Sequence, residues 1–177
     1  MLTRRTFLGA CTGTIAALGA GPALAALAPE PNRSLAFLNL HTGEKLDITY
    51  YEHGKYLSDA LDVINHLLRD HRTDEVHPID PGLLDLLSTL HQRVDGRAAY
   101  HVISGYRSPA TNAMLSGRSN GVATRSLHLQ GRAIDIRLPH CELRDLRQAA
   151  LALHAGGVGY YPASEFIHVD TGRTRSW

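Results

Sequence analysis

Cysteine is scarce: the 177 residues hold two, Cys11 and Cys141. Cys11 lies in a leader-like stretch, and removal of that stretch would leave Cys141 alone. A single thiol excludes an internal disulfide in the mature monomer, even in an oxidising compartment, so packing must hold the fold. An excess of charge of either sign is missing as well. The 18 Lys and Arg nearly balance 17 Asp and Glu, and without Arg4 and Arg5 the count is 16 basic against 17 acidic residues. That balance offers no broad cationic surface for nucleic acid. Beyond the leader there is no internal repeat, low-complexity tract or stable membrane span. With 44% hydrophobic and 20% charged residues, the chain has the composition of one modest globular domain.

The N-terminus carries a targeting pattern. Thr3-Arg4-Arg5-Thr6-Phe7-Leu8 has the twin-arginine form, and Gly9 to Leu27 is a weakly apolar stretch of Ala, Gly, Leu and Thr. Ala23-Leu24-Ala25 offers a cleavage site before Ala26. Abundant glycine and Pro22 argue against a permanent anchor. Too little apolar sequence precedes Cys11 for a lipidation site. Residues 1–25 therefore read as a signal peptide exported by the twin-arginine route to the periplasm, 26–32 as a linker and 33–177 as the folded domain.

Hydrophobic patterning in that domain predicts an α+β fold, a small antiparallel sheet flanked by helices. Ser34–Leu40 and Lys45–Tyr51 flank the turn His41-Thr42-Gly43-Glu44 as a hairpin. Ser58 is placed to cap a helix with an apolar stripe at Ala60, Leu61, Ile64, Leu67 and Leu68. Asp80-Pro81 opens a second, with Leu83, Leu87, Leu90 and Val94 at helical spacing and Gly96 as the stop. Tyr100–Ser104 reads as a strand, Pro109–Leu115 as a short helix, and Ser116–Ser126 as a loop. A last helix carries Leu143, Leu146, Ala150 and Leu153 and is expected to end at Gly156-Gly157.

The chemistry concentrates in Ser126-Leu127-His128-Leu129-Gln130-Gly131-Arg132-Ala133-Ile134-Asp135 and in Phe166-Ile167-His168-Val169-Asp170. Strand alternation sends Ile134, Ile136 and Leu138 into a core and Asp135 to the opposite face. In the second segment, His168 and Asp170 share the face opposite Ile167 and Val169. A turn at Gly131 would fold His128 back toward Asp135. Two imidazoles and one carboxylate are a sufficient set for a catalytic zinc with an open coordination position. The remaining histidines are weaker candidates. His53, His66, His71, His91 and His154 lack a partner pattern, and His41, His77, His101 and His140 stand alone. Cys141 follows His140, but adjacent side chains at a helix start diverge, which favours a buried or capping role.

The Ser-x-His-x-x-Gly-x-Ala-x-Asp pattern with its later histidine resembles the zinc D-alanyl-D-alanine carboxypeptidases and murein endopeptidases. The periplasmic endopeptidase branch of the MepK type is most similar, because Ser104-Gly105-Tyr106-Arg107-Ser108, Thr111-Asn112 and Gly156 through Gly172 also match. The resemblance spans roughly Arg33 to Trp177. It implies a hedgehog and DD-peptidase-like fold, His128, Asp135 and His168 as zinc ligands, and hydrolysis of D-centre amides in diaminopimelate-containing peptidoglycan stem peptides. It implies that Arg107 points into the site, to bind a substrate carboxylate or stabilise an oxyanion. Tyr106 and Asn112 follow as weaker cleft-lining candidates.

A proton acceptor is needed beside the metal. Glu165, three residues before His168, stands at the family's spacing for a Glu or Asp base. Asp170 competes, although as a neighbour on the face of His168 it could instead orient that ligand. Ser126 is expected to hydrogen-bond the turn carrying His128 rather than act as a nucleophile. Two other readings stay open: a carboxypeptidase trimming terminal D-alanine, and a non-catalytic cell-wall binding module built on the same zinc cleft. Oligomeric state is not legible.

Overall fold

A computed structural model describes residues 32–118 and 123–177. The proposed signal peptide, its cleavage site and Cys11 lie outside the described residues. Eight strands form one sheet: β1 (Arg33–Asn39), β2 (Lys45–Glu52), β3 (Lys55–Tyr56), β4 (Tyr100–Ser104), β5 (Ala133–Arg137), β6 (Gly157–Tyr161), β7 (Phe166–Asp170) and β8 (Arg175–Ser176). The helices are α1 (Ser58–Leu67), α2 (Pro81–Arg93), α3 (Pro109–Arg118) and α4 (Leu143–Leu153). The architecture is α+β, as patterning predicts.

The sheet is larger than expected and mixed. Its order is β3-β2-β1-β4-β5-β7-β6-β8. The β1–β4 and β6–β8 pairs are parallel and the others antiparallel. The parallel pairs arise because α1 and α2 intervene between β1 and β4, and because the chain passes through β7 before β8 returns to β6.

Helix α1 packs on β2, α2 on β1 and α4, and α4 on β6 and β7. Ile64, Leu83, Leu87 and Leu146 meet Phe37, Tyr100, Ile134, Ile136, Ile167 and Val169 in one core. Burial of these side chains stabilises the fold, at about 25 cal/mol per Å² of apolar surface. Tyr50, Tyr56 and Arg33 converge on Asp85 and tie the sheet edge to α2.

Local chemistry sets the element ends, with three departures from expectation. Asp80 caps α2 through Gly82 N at 2.9 Å, with Pro81 behind it. Ser58, expected as the cap of α1, is its first helical residue, and Leu57 holds the cap position without a side-chain bond. Helix α3 continues three residues past Leu115, to Arg118. Helix α4 stops at His154, which takes the left-handed conformation (φ 51°) before Gly156-Gly157 is reached.

Candidate metal centre

Asp135 on β5 and His168 on β7 are direct cross-strand partners, so the pleat sends both to the same face. Their neighbours Ile134, Ile136, Ile167 and Val169 point the other way, into the core. His128 arrives from a 3-10 turn (Leu127–Gln130) whose start is capped by Ser126 Oγ, accepting from His128 N at 3.3 Å. That is the structural part assigned to Ser126. The turn ends at Gly131 with φ 63°, where a Cβ would collide with the Pro78 carbonyl. Only glycine closes the turn against that backbone.

Each imidazole is oriented by one partner and presents the other nitrogen to the cluster. His128 Nδ1 donates to the Gly105 carbonyl at 2.7 Å, and because a carbonyl only accepts, Nε2 keeps its lone pair. His168 Nε2 donates to Asp170 Oδ2 at 2.9 Å, turning Nδ1 inward. The three inward atoms are separated by 3.2 Å (His128 Nε2 to His168 Nδ1), 3.3 Å (His128 Nε2 to Asp135 Oδ1) and 2.9 Å (His168 Nδ1 to Asp135 Oδ1). A tetrahedral ion with bonds of about 2.0–2.1 Å spaces its donors about 3.3 Å apart. The triangle therefore fits one face of such a site, and it is the only group of three or more potential ligands among the described residues.

Electrostatics agree with the geometry. Burial opposes charge on Asp135, but His128, His168 and the Arg107 guanidinium outweigh it and hold the carboxyl well below the usual carboxylate range. Burial pushes His128 down, which keeps its imidazole neutral. Burial also works against protonated His168, yet hydrogen bonds to Asp135 and Asp170 prevail and raise it.

Arg107 reaches the site as the resemblance implies. Its Nη2 bonds Asp135 Oδ2 and its Nε donates to Ser104 Oγ at 2.9 Å. Asp70, 1% exposed, accepts Ser108 N at 2.8 Å and Arg72 N at 2.9 Å, fixing the loop that carries Arg107. The trio and Arg107 border an open cleft of about 410 Å³, with Arg125, Tyr161, Phe166, Arg175 and Trp177 among its other walls.

The remaining sequence candidates stand elsewhere. Glu165 is left-handed (φ 54°) at the end of a short turn, one residue before β7. Its side chain, 76% exposed, pairs with Arg137 Nη1 at 3.0 Å and borders a separate recess with Leu143 and Tyr160. The spacing that brought Glu165 forward does not bring it to the trio. Asp170 is fully buried behind His168, where its oxygens accept from Gly157 N, Gly172 N and both Arg175 amino nitrogens. Tyr106 is buried, with its hydroxyl on Glu75 Oε1 at 2.6 Å and its ring against His77. Asn112 braces the Ala123 and Thr124 carbonyls. Neither lines the cleft. Cys141 is a free, half-buried thiol packed against the core.

Patterning gives no role to Arg125, Tyr161, Arg175 or Trp177. Their proximity to the His and Asp blocks is the one available signal, and Trp177 enters only because β8 returns to β6.

Residues 27–177 match the family model described as peptidoglycan L,D-endopeptidase MepK. The chain is similar to the peptidoglycan L,D-endopeptidase MepK of Escherichia coli (strain K12), 44% identical over 165 residues that cover 91% of each protein. It is also similar to a protein of Haemophilus influenzae described as probable peptidoglycan L,D-endopeptidase MepK, 43% identical over 150 residues, 84% of this chain and 80% of that one. No solved structure matches the chain significantly. A family model spanning most of the chain, and relatives this similar over nearly their whole length, establish that the chain belongs to the MepK family of peptidoglycan endopeptidases.

Proposed function

We propose that this chain is a zinc-dependent endopeptidase that hydrolyses peptide cross-links of peptidoglycan. One observation carries the reading: two imidazole nitrogens and one carboxylate oxygen converge at the edge of an open cleft, each imidazole oriented by a separate hydrogen bond. Two imidazoles and a carboxylate favour zinc over hard, oxygen-seeking cations. Zinc held by His128, Asp135 and His168 would supply Lewis acidity toward a scissile carbonyl and a water activated near neutral pH.

The chain's own groups do the rest. The Gly105 carbonyl fixes the His128 tautomer, and Asp170 fixes that of His168. Arg107 neutralises the second oxygen of Asp135 and lies at the cleft, where its guanidinium can bind a carbonyl or carboxylate oxygen of the peptide. Asp170, with both oxygens engaged, is a positioning residue. Glu165, turned to Arg137, has no part in proton transfer.

The relatives' printed names favour cutting a cross-link at an L,D bond over trimming a terminal D-alanine or binding the wall passively. Purified sacculi digested with and without a chelator decide among these. Chelator-sensitive conversion of cross-linked dimers to monomers is expected, whereas released D-alanine or no product overturns the reading. The twin-arginine pattern supports export to the periplasm. If Arg4→Lys with Arg5→Lys leaves the amount of periplasmic protein unchanged, that route is wrong.

A further inference from the structure

The cleft contains a neutral hydrogen-bond donor whose direction is set by its neighbour. Trp177 Nε1 can only donate, and it donates to the Tyr161 hydroxyl oxygen at 2.8 Å. The phenol therefore accepts from the indole and keeps its own proton to give away. Among the described residues none takes that proton, and Tyr161 lines the cleft with His128, Asp135 and His168.

The arrangement is held from several sides. A Cβ at residue 159 would lie 2.8–2.9 Å from the indole ring, so glycine there makes the seat for Trp177. Backbone bonds from Trp177 N to Val158 O (3.3 Å) and from Tyr160 N to Trp177 O (3.1 Å) fix the indole's base. The Tyr161 ring stacks on Phe166 with centroids 4.6 Å apart, and the indole stands 5.2 Å from the His168 ring. Of the cleft's other side-chain donors, Arg107 holds Asp135 and Arg175 holds Asp170, while Ser126 Oγ, which accepts from His128 N, is tied to the turn that carries that histidine.

Amide hydrolysis builds negative charge on the carbonyl oxygen, and a pre-oriented donor at that oxygen lowers the barrier. We propose that Tyr161 donates a hydrogen bond to the scissile carbonyl oxygen as it gains charge, and that Trp177 is the positioning residue that keeps the hydroxyl a donor toward the cleft. This rests on the endopeptidase reading, so wild-type cleavage is the control. If the wild-type chain cleaves no cross-link, that reading fails before this one is reached.

Tyr161→Phe is expected to lower kcat by up to about 100-fold with KM little changed. It should weaken binding of a phosphinate analogue of the cross-link peptide by a similar factor, while zinc content and unfolding midpoint stay at wild-type values. Trp177→Phe should lower kcat in the wild type but add little in the Tyr161→Phe background, because it acts through that hydroxyl. Wild-type kcat and phosphinate affinity in folded, zinc-loaded Tyr161→Phe would overturn the assignment. Additive losses in the double variant would remove the positioning role of Trp177.

Discussion

Asp170 accepts the Nε2 hydrogen of His168 at 2.9 Å, and Arg175 grips the same carboxylate from behind at 2.7 Å. Burial works against charge on Asp170, but His168, Arg175 and the Gly172 and Gly157 amides outweigh it and hold the carboxyl well below its ordinary range. It stays an acceptor and keeps Nδ1 of His168 facing His128 and Asp135.

Asp170→Asn should therefore damage the metal site before it damages the chemistry. Loss of a hydrogen-bonding partner behind a ligand commonly weakens metal affinity by about 10–100-fold. Competition against a chromophoric chelator measures this. Activity should return at high zinc, and a variant fully loaded yet inactive would instead make Asp170 the proton acceptor.

Glu165→Gln should leave kcat/KM within about twofold of wild type. The residue loses only an exposed pair with Arg137, a contact of about 0–1 kcal/mol. A hundredfold loss at unchanged zinc content would return Glu165 to the reaction.

Asp70 sets a pH dependence away from the cluster of His128, Asp135 and His168. Burial alone would raise its carboxyl, but hydrogen bonds from Thr111 and Ser108 and the Arg72 and Ser108 amides bring it down to about 2. The unfolded chain then binds the proton more readily, so the contribution is complete above about pH 4 and disappears as pH falls toward 2. A shift of this size corresponds to about 2 kcal/mol. Denaturant titrations from pH 6 to 2 should show Asp70→Asn less stable at pH 6 and less sensitive to acid. Parallel curves for the two proteins would contradict the assignment.

Gly159→Ala should cost about 1–3 kcal/mol by overpacking against Trp177 and should lower kcat as the indole is displaced. Equilibrium unfolding and steady-state rates test the two effects separately. Unchanged values in both would mean that the indole is not confined by residue 159.

Much of the centre is legible in the sequence because strand alternation is local. Asp135 between Ile134 and Ile136, and His168 between Ile167 and Val169, reveal their face without knowledge of pairing. Gly131 signals the tight turn that delivers His128. Spacing counts residues and so could not place Glu165, which is left-handed just before a strand and turns its side chain toward Arg137. Asp170 stays ambiguous because alternation places it beside His168 but cannot count the donors around it. Trp177 is out of reach because it follows a two-residue strand with no periodic signature, whose parallel pairing with β6 is a tertiary fact; Tyr161, the last residue of β6, meets the indole only through that pairing. The sheet is larger than predicted because β3 and β8 are both too short to leave a pattern, and it is mixed because β1 pairs with β4, and β6 with β8, across intervening elements that local pattern does not reveal.

Trp177 is the chain's single tryptophan, and its ring leans on a residue of the cluster at the mouth of the cleft. Its intrinsic fluorescence therefore originates at one place. In the unlabelled protein, arrival of a cation or a peptide at that mouth can be followed as a change in emission without a second indole to blur the signal.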